Sequence, residues 1–106
     1  MITEIQSGET DINEHIQKNC VTLVSFYADW CGPWQHYSKL LKQSAEDYPE
    51  AEFVQINVET NKILCAKFQV TRVPTTLFYK NGVLLFTKTG LIKRLELMDT
   101  IQRLVS

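Results

Sequence analysis

The chain has 106 residues, 44% of them hydrophobic, with 11 basic against 12 acidic side chains and a net charge of −1. That length suits a single domain with one core over residues 1–106. The even charge balance leaves no basic stripe for nucleic acid, and no apolar run approaches the ~18 residues of a membrane span.

The opening Met1-Ile2-Thr3-Glu4 is polar and lacks the pattern of an export leader. The three cysteines, Cys20, Cys31 and Cys65, are an odd number at irregular spacing, so a secreted disulfide framework is not expected. A reducing, cytoplasmic setting is. His15 and His36 complete no metal-ligand spacing with them, and neither a metal nor another cofactor is expected.

In chain order, Ile2 to Ile5 reads as a short first strand, and Thr10-Asp11-Ile12 as a helix start that puts Ile12 and Ile16 on one face. Val21 to Tyr27 is rich in β-branched and aromatic residues and apolar on both faces, the mark of a central strand. Pro33 suits the first position of a helix, where a missing N–H is harmless. Tyr37, Leu40, Leu41, Ala45 and Tyr48 give that helix its apolar face, and Pro49 ends it.

Phe53 to Val58 is the next strand, and Asn61 to Phe68 a short helix with Leu64 and Phe68 aligned. Thr75 to Lys80 and Val83 to Thr89 flank Asn81-Gly82, a strong hairpin signal. Leu97, Met98, Ile101, Leu104 and Val105 fit a closing amphipathic helix. The expected class is α/β, in the order β-α-β-α-β-α-β-β-α.

The order and several local stretches resemble the thioredoxin family over essentially the whole chain. Phe26-Tyr27-Ala28-Asp29-Trp30-Cys31-Gly32-Pro33 is similar to its strand and redox turn. Val73-Pro74-Thr75 is similar to the segment whose cis proline faces the thiol, Phe78-Tyr79-Lys80-Asn81-Gly82 to the late hairpin, and Thr89-Gly90 to the groove edge. The resemblance implies the thioredoxin fold, a central mixed sheet flanked by helices. It also implies thiol–disulfide exchange in cell redox homeostasis.

One residue departs from the family at the centre of that chemistry. The loop is Trp30-Cys31-Gly32-Pro33-Trp34, with a tryptophan where a two-thiol member has its second cysteine. Cys31 lies between a buried strand and the first turn of a helix, where unpaired N–H groups and the helix dipole favour a thiolate. It is the expected nucleophile, able to form a mixed disulfide with half of a substrate. Indole has no sulfur with which to break that bond, so the intramolecular second step is lost.

Two more departures agree. Ser25 stands where the family commonly has a buried aspartate that activates the second thiol, and Gln55 where a lysine often pairs with it. Lys39 replaces a helix-kinking proline, which predicts a straighter helix. Cys20 is separated from Cys31 by a whole strand, roughly 20 Å at ~3.3 Å per residue, too far for a disulfide. Cys65, beside Leu64 and Phe68, is read as a packing residue, with resolution of the Cys31 adduct as the alternative role.

The first reading is therefore a monothiol oxidoreductase that acts on a protein disulfide or a glutathionylated protein, its adduct resolved by an external thiol such as glutathione. The second is a non-catalytic module that holds a peptide or partner protein. Its groove would comprise Trp30, Gly32, Pro33, Trp34, Val73, Pro74 and Gly90. A third, an iron–sulfur carrier of the monothiol glutaredoxin kind, lacks matching glutathione-binding residues. Trp34 is expected to be partly exposed, Trp30 to form a flat wall beside the thiol, and His36 to be a surface or packing residue rather than a base.

Overall fold

The computed structural model describes residues 2–16 and 20–106. Its elements run β1 (Ile2–Glu4), α1 (Asn13–Ile16), β2 (Val21–Tyr27), α2 (Trp34–Asp47), β3 (Ala51–Asn57), α3 (Lys62–Lys67), β4 (Thr75–Lys80), β5 (Val83–Thr89) and α4 (Arg94–Val105). The order is the expected one, with boundaries shifted by a residue or two, as frayed ends commonly are.

The strands form one mixed sheet in the order β1-β3-β2-β4-β5. β2 pairs in parallel with β3 and antiparallel with β4, and all seven of its residues are buried. That burial is what its two-sided apolar sequence demands. The parallel pairs β1–β3 and β2–β3 need crossovers, which α1 and α2 provide.

Each face of the sheet carries its own core. On one, Leu23, Tyr27, Phe53 and Phe78 meet Trp34, Tyr37 and Leu41 of α2 and Leu97 and Ile101 of α4. On the other, Val24, Phe26, Val54, Ile56 and Leu77 meet Ile12, Ile16 and Leu64. The alternation along β2 and β3 follows from the period of two in a strand.

Local chemistry fixes the element ends. The Asp11 carboxylate accepts a 2.8 Å hydrogen bond from the Asn13 N–H, which opens α1. The Tyr48 N–H donates to the Ser44 carbonyl at 2.9 Å before Pro49 stops α2, which runs without a break through Lys39. Asn81 and Gly82 both have positive φ, 53° and 83°, as a two-residue hairpin turn requires.

Candidate functional site

The site grows from the carboxyl end of β2. After Tyr27 the chain passes through buried Ala28 and exposed Asp29 and Trp30, then turns as the Cys31 N–H donates to the Ala28 carbonyl at 3.1 Å. The Cys31 carbonyl accepts from the Trp34 N–H at 3.0 Å, which starts α2. Pro33, in helical conformation, is the cap residue, and its carbonyl accepts from the Tyr37 N–H at 3.2 Å. Cys31 thus sits half-buried just ahead of the helix, packed against the core on the α2 side.

The turn is braced from β3 and β1. The Val58 N–H donates to the Tyr27 carbonyl at 2.8 Å, and the Asn57 amide donates to Asp29 Oδ2 at 3.2 Å. The Tyr27 hydroxyl donates to Glu4 Oε2 at 2.7 Å. Burial raises the phenol of Tyr27 far above its ordinary value, and this hydrogen bond adds to the rise. Burial also raises the Glu4 carboxyl; the tyrosine bond opposes that rise and Asp29 adds to it.

Trp34 corrects an expectation. It is buried, only 6% exposed, rather than partly exposed. Its indole stacks on the Tyr27 ring at 4.4 Å and 7° and meets Tyr37 edge-on at 5.9 Å. The inward turn of the first helical residue, together with the aromatic ring that β2 presents below it, gives the indole a fitted place in the core. Trp34 therefore supports the loop from beneath and offers no surface to a groove.

Below it, Ser25 and Gln55 are register partners on β2 and β3, both buried. They occupy adjacent strands, as the resemblance implied. The Gln55 Nε2 has no acceptor within reach. On the same sheet face the Tyr37 and Thr76 hydroxyls lie 3.1 Å apart.

A second segment comes from the start of β4. The Val73–Pro74 peptide bond is cis, as expected. The Thr75 hydroxyl donates to the Arg72 carbonyl at 2.6 Å, and the Gly90 N–H donates to the Pro74 carbonyl at 2.7 Å. Gly90 has φ of 87°, a conformation that glycine adopts freely. These bonds bring Val73, Pro74 and Gly90 together.

Beside them lies a largely apolar hollow of about 410 Å³, lined by Trp30, Val58, Cys65, Val70, Arg72 and Val73 among others. Trp30, 69% exposed, forms one wall. Gly32 and Pro33 are exposed in the turn, outside this lining, and His36 is exposed on α2. Val58, Val70 and Arg72 were not singled out from sequence; the closeness of Val70 and Arg72 to Val73-Pro74 was their only signal. Among the described residues, no group of three or more His, Cys, Asp or Glu is placed to hold a metal.

The other two thiols are set apart from Cys31 in different ways. Cys65 packs half-buried against the core on the α3 side and shows one flank to the hollow; burial raises its thiol above the ordinary value of 9.0. Cys20 stands just before β2, at the opposite end of that strand, with its sulfur 3.8 Å from the Thr22 hydroxyl. None of the three cysteines is in a disulfide.

The thioredoxin family model matches residues 4–103. The chain belongs to the thioredoxin family. Thioredoxin from Mycoplasma genitalium is 29% identical over 99 residues, covering 93% of this chain and 96% of that one. Thioredoxin from Staphylococcus haemolyticus is 36% identical over 79 residues, 74% of this chain and 75% of its own. Among solved structures, a mutant thioredoxin from Halobacterium salinarum superposes with a TM-score of 0.89 at 30% identity, covering 99% of this chain and 91% of that one. The mixed sheet and flanking helices are thus the thioredoxin fold, and the family is one of thiol–disulfide oxidoreductases that act on protein disulfides. No helix among the described residues is long and apolar enough to cross a membrane.

Proposed function

We propose that this thioredoxin-family protein exchanges thiols by a monothiol route. The Cys31 thiolate attacks one sulfur of a protein disulfide or of a glutathionylated protein. The S–S bond breaks, the leaving sulfur departs as a thiolate that takes up a proton, and Cys31 is left in a mixed disulfide. An external thiolate such as glutathione then attacks that bond and restores Cys31, carrying the oxidation away as a new disulfide.

The observation that carries this reading is the place of Trp34. The position that would supply a resolving thiol is filled by an indole locked between Tyr27 and the core. Ser25 and Gln55 fit the same specialisation, because neither is a charged group able to activate a second thiol. Cys65 is raised by burial and Cys20 is a strand away, so resolution falls to solution thiols. A chain from the structural work on the thiol resolving mechanism of yeast mitochondrial 1-Cys peroxiredoxin via glutathione and thioredoxin systems is similar to this one, with a TM-score of 0.81 at 28% identity. Three unpaired cysteines suit a reducing compartment such as the cytoplasm.

The test is glutathione-dependent release of a substrate thiol from a glutathionylated protein, with Cys31→Ser as control. Turnover that vanishes with Cys31→Ser supports the route; turnover unaffected by it refutes the route.

A second reading, peptide binding without chemistry, is favoured by the hollow itself. Its apolar lining and exposed Trp30 can hold an extended segment against the Val73 backbone. Binding that survives Cys31→Ser and fails with Trp30→Ala, in a protein without turnover, identifies that case.

A further inference from the structure

The two edges of the sheet are built differently. β1 is three residues long and carries Glu4, so it offers little to another strand. β5 is seven residues long, pairs with β4 on one side only, and is exposed along its whole length. Its sequence Val83-Leu84-Leu85-Phe86-Thr87 holds no charge and no proline. The one cation on the strand, Lys88, is drawn to Glu96 of α4 at 2.7 Å. An uncharged apolar edge of this kind is a pairing template.

The register shows where its side chains go. Phe78 pairs with Phe86 but Tyr79 pairs with Leu84, so Leu85 is an extra residue in a bulge. Leu84 and Leu85 consequently share the sheet face of Tyr79 with Thr87. Phe86 takes the opposite face, stacked on Phe78 at 4.6 Å. Beyond the bulge, the stretch from Phe86 to Thr89 is regular, and its outer side pairs with no other strand.

We infer that β5 is a homodimer interface, in which a second copy of this chain adds its own β5 antiparallel across a two-fold axis. Antiparallel pairing is what a two-fold normal to the sheet produces, and it keeps corresponding faces together. Centred on Phe86, it sets that ring against its own counterpart and Leu85 against the partner's Thr87. The two Lys88 side chains do not fall opposite each other.

The area fits a weak dimer. Val83, Leu84, Leu85 and Phe86 are 60%, 46%, 47% and 38% exposed. Side chains of this size then leave on the order of 300 Å² of apolar surface. A standard interface buries about 800 Å² per partner, slightly more than half of it apolar, so the strip supplies roughly two-thirds of what is needed. Association should therefore depend on concentration in the micromolar range or above. The centre of the seam, Phe86, pairs with Phe78, which pairs with Leu23 in the middle of β2, while Thr89 lies at the end of β5 nearest the candidate site.

Sedimentation velocity from about 10 µM to about 1 mM, in excess reductant, tests this directly. The expected result is a mass that rises from one chain toward two, with Leu85→Lys weakening association at least tenfold and Leu95→Lys, outside the strip, leaving it unchanged. Val83→Glu serves as a second variant, and circular dichroism confirms that each is folded. One-chain mass throughout, open-ended growth beyond two chains, or unchanged association in folded Leu85→Lys and Val83→Glu overturns the proposal.

Discussion

Replacing Trp34 with alanine should be among the most destabilising single changes in the chain. The indole is 94% removed from solvent, since 6% of it remains exposed. A tryptophan of that burial takes roughly 150–250 Å² out of water, worth about 4–6 kcal/mol at 25 cal/mol per Å². Alanine retains about 1 kcal/mol of this, so about 3–5 kcal/mol is lost, the range seen for large aromatic deletions. The stack on Tyr27 at 4.4 Å lies at the favourable end of aromatic pair geometry and adds roughly 0.5–1.5 kcal/mol of coupling. For a domain near 100 residues, this lowers the melting temperature by about 12–40 °C. Urea unfolding of wild type and Trp34→Ala measures the loss, and a cycle with Tyr27→Leu isolates the stack. A loss below about 1 kcal/mol would show that the indole is not a core residue, and the account of why the loop tolerates it would fall.

Three further outcomes follow from the site. Cys65, raised by burial above 9.0, should alkylate more slowly than Cys31 at neutral pH and approach it only as pH rises past that value; equal rates by mass mapping would contradict the burial argument. Glu4 is raised above 4.5 in the folded protein, so the native state holds its proton longer than the unfolded chain. Its contribution to stability is then present below 4.5 and is lost as pH rises through the folded value. Wild type should lose stability relative to Glu4→Gln across that window, a small effect at a part-buried edge; a parallel pH dependence of the two proteins would refute it. Gly90→Ala should cost about 1 kcal/mol in urea unfolding from φ of 87° alone, since a Cβ there meets nothing within 4 Å; a neutral result would mean that the loop relaxes freely.

Much of the fold was legible because each signal is local. The two-sided apolar run of β2, the Asn81-Gly82 turn and the stop at Pro49 each act through a neighbour in sequence, and the structure bears them out. The Val73-Pro74 segment was legible through family resemblance, and its cis bond is observed. The orientation of Trp34 was not legible. It depends on a tyrosine seven residues earlier in another element and on which face of β2 that tyrosine occupies.

The same limit hid the flank that Cys65 shows to the hollow and the bond from Tyr27 to Glu4, contacts made between separate elements. β5 makes the point in reverse. Val83-Leu84-Leu85-Phe86 has the composition of a core strand, yet the sheet order places it at an edge, and hydropathy alone does not encode sheet order.

The most direct measurement concerns a protein in which Cys31 is the only thiol, with Cys20→Ser and Cys65→Ser. Its glutathione-dependent turnover on a glutathionylated protein should match wild type within about twofold, with a Cys31–glutathione adduct visible by mass spectrometry when glutathione is withheld. Loss of turnover in this folded variant, restored by returning Cys65, would contradict resolution by an external thiol and make the second step intramolecular after all.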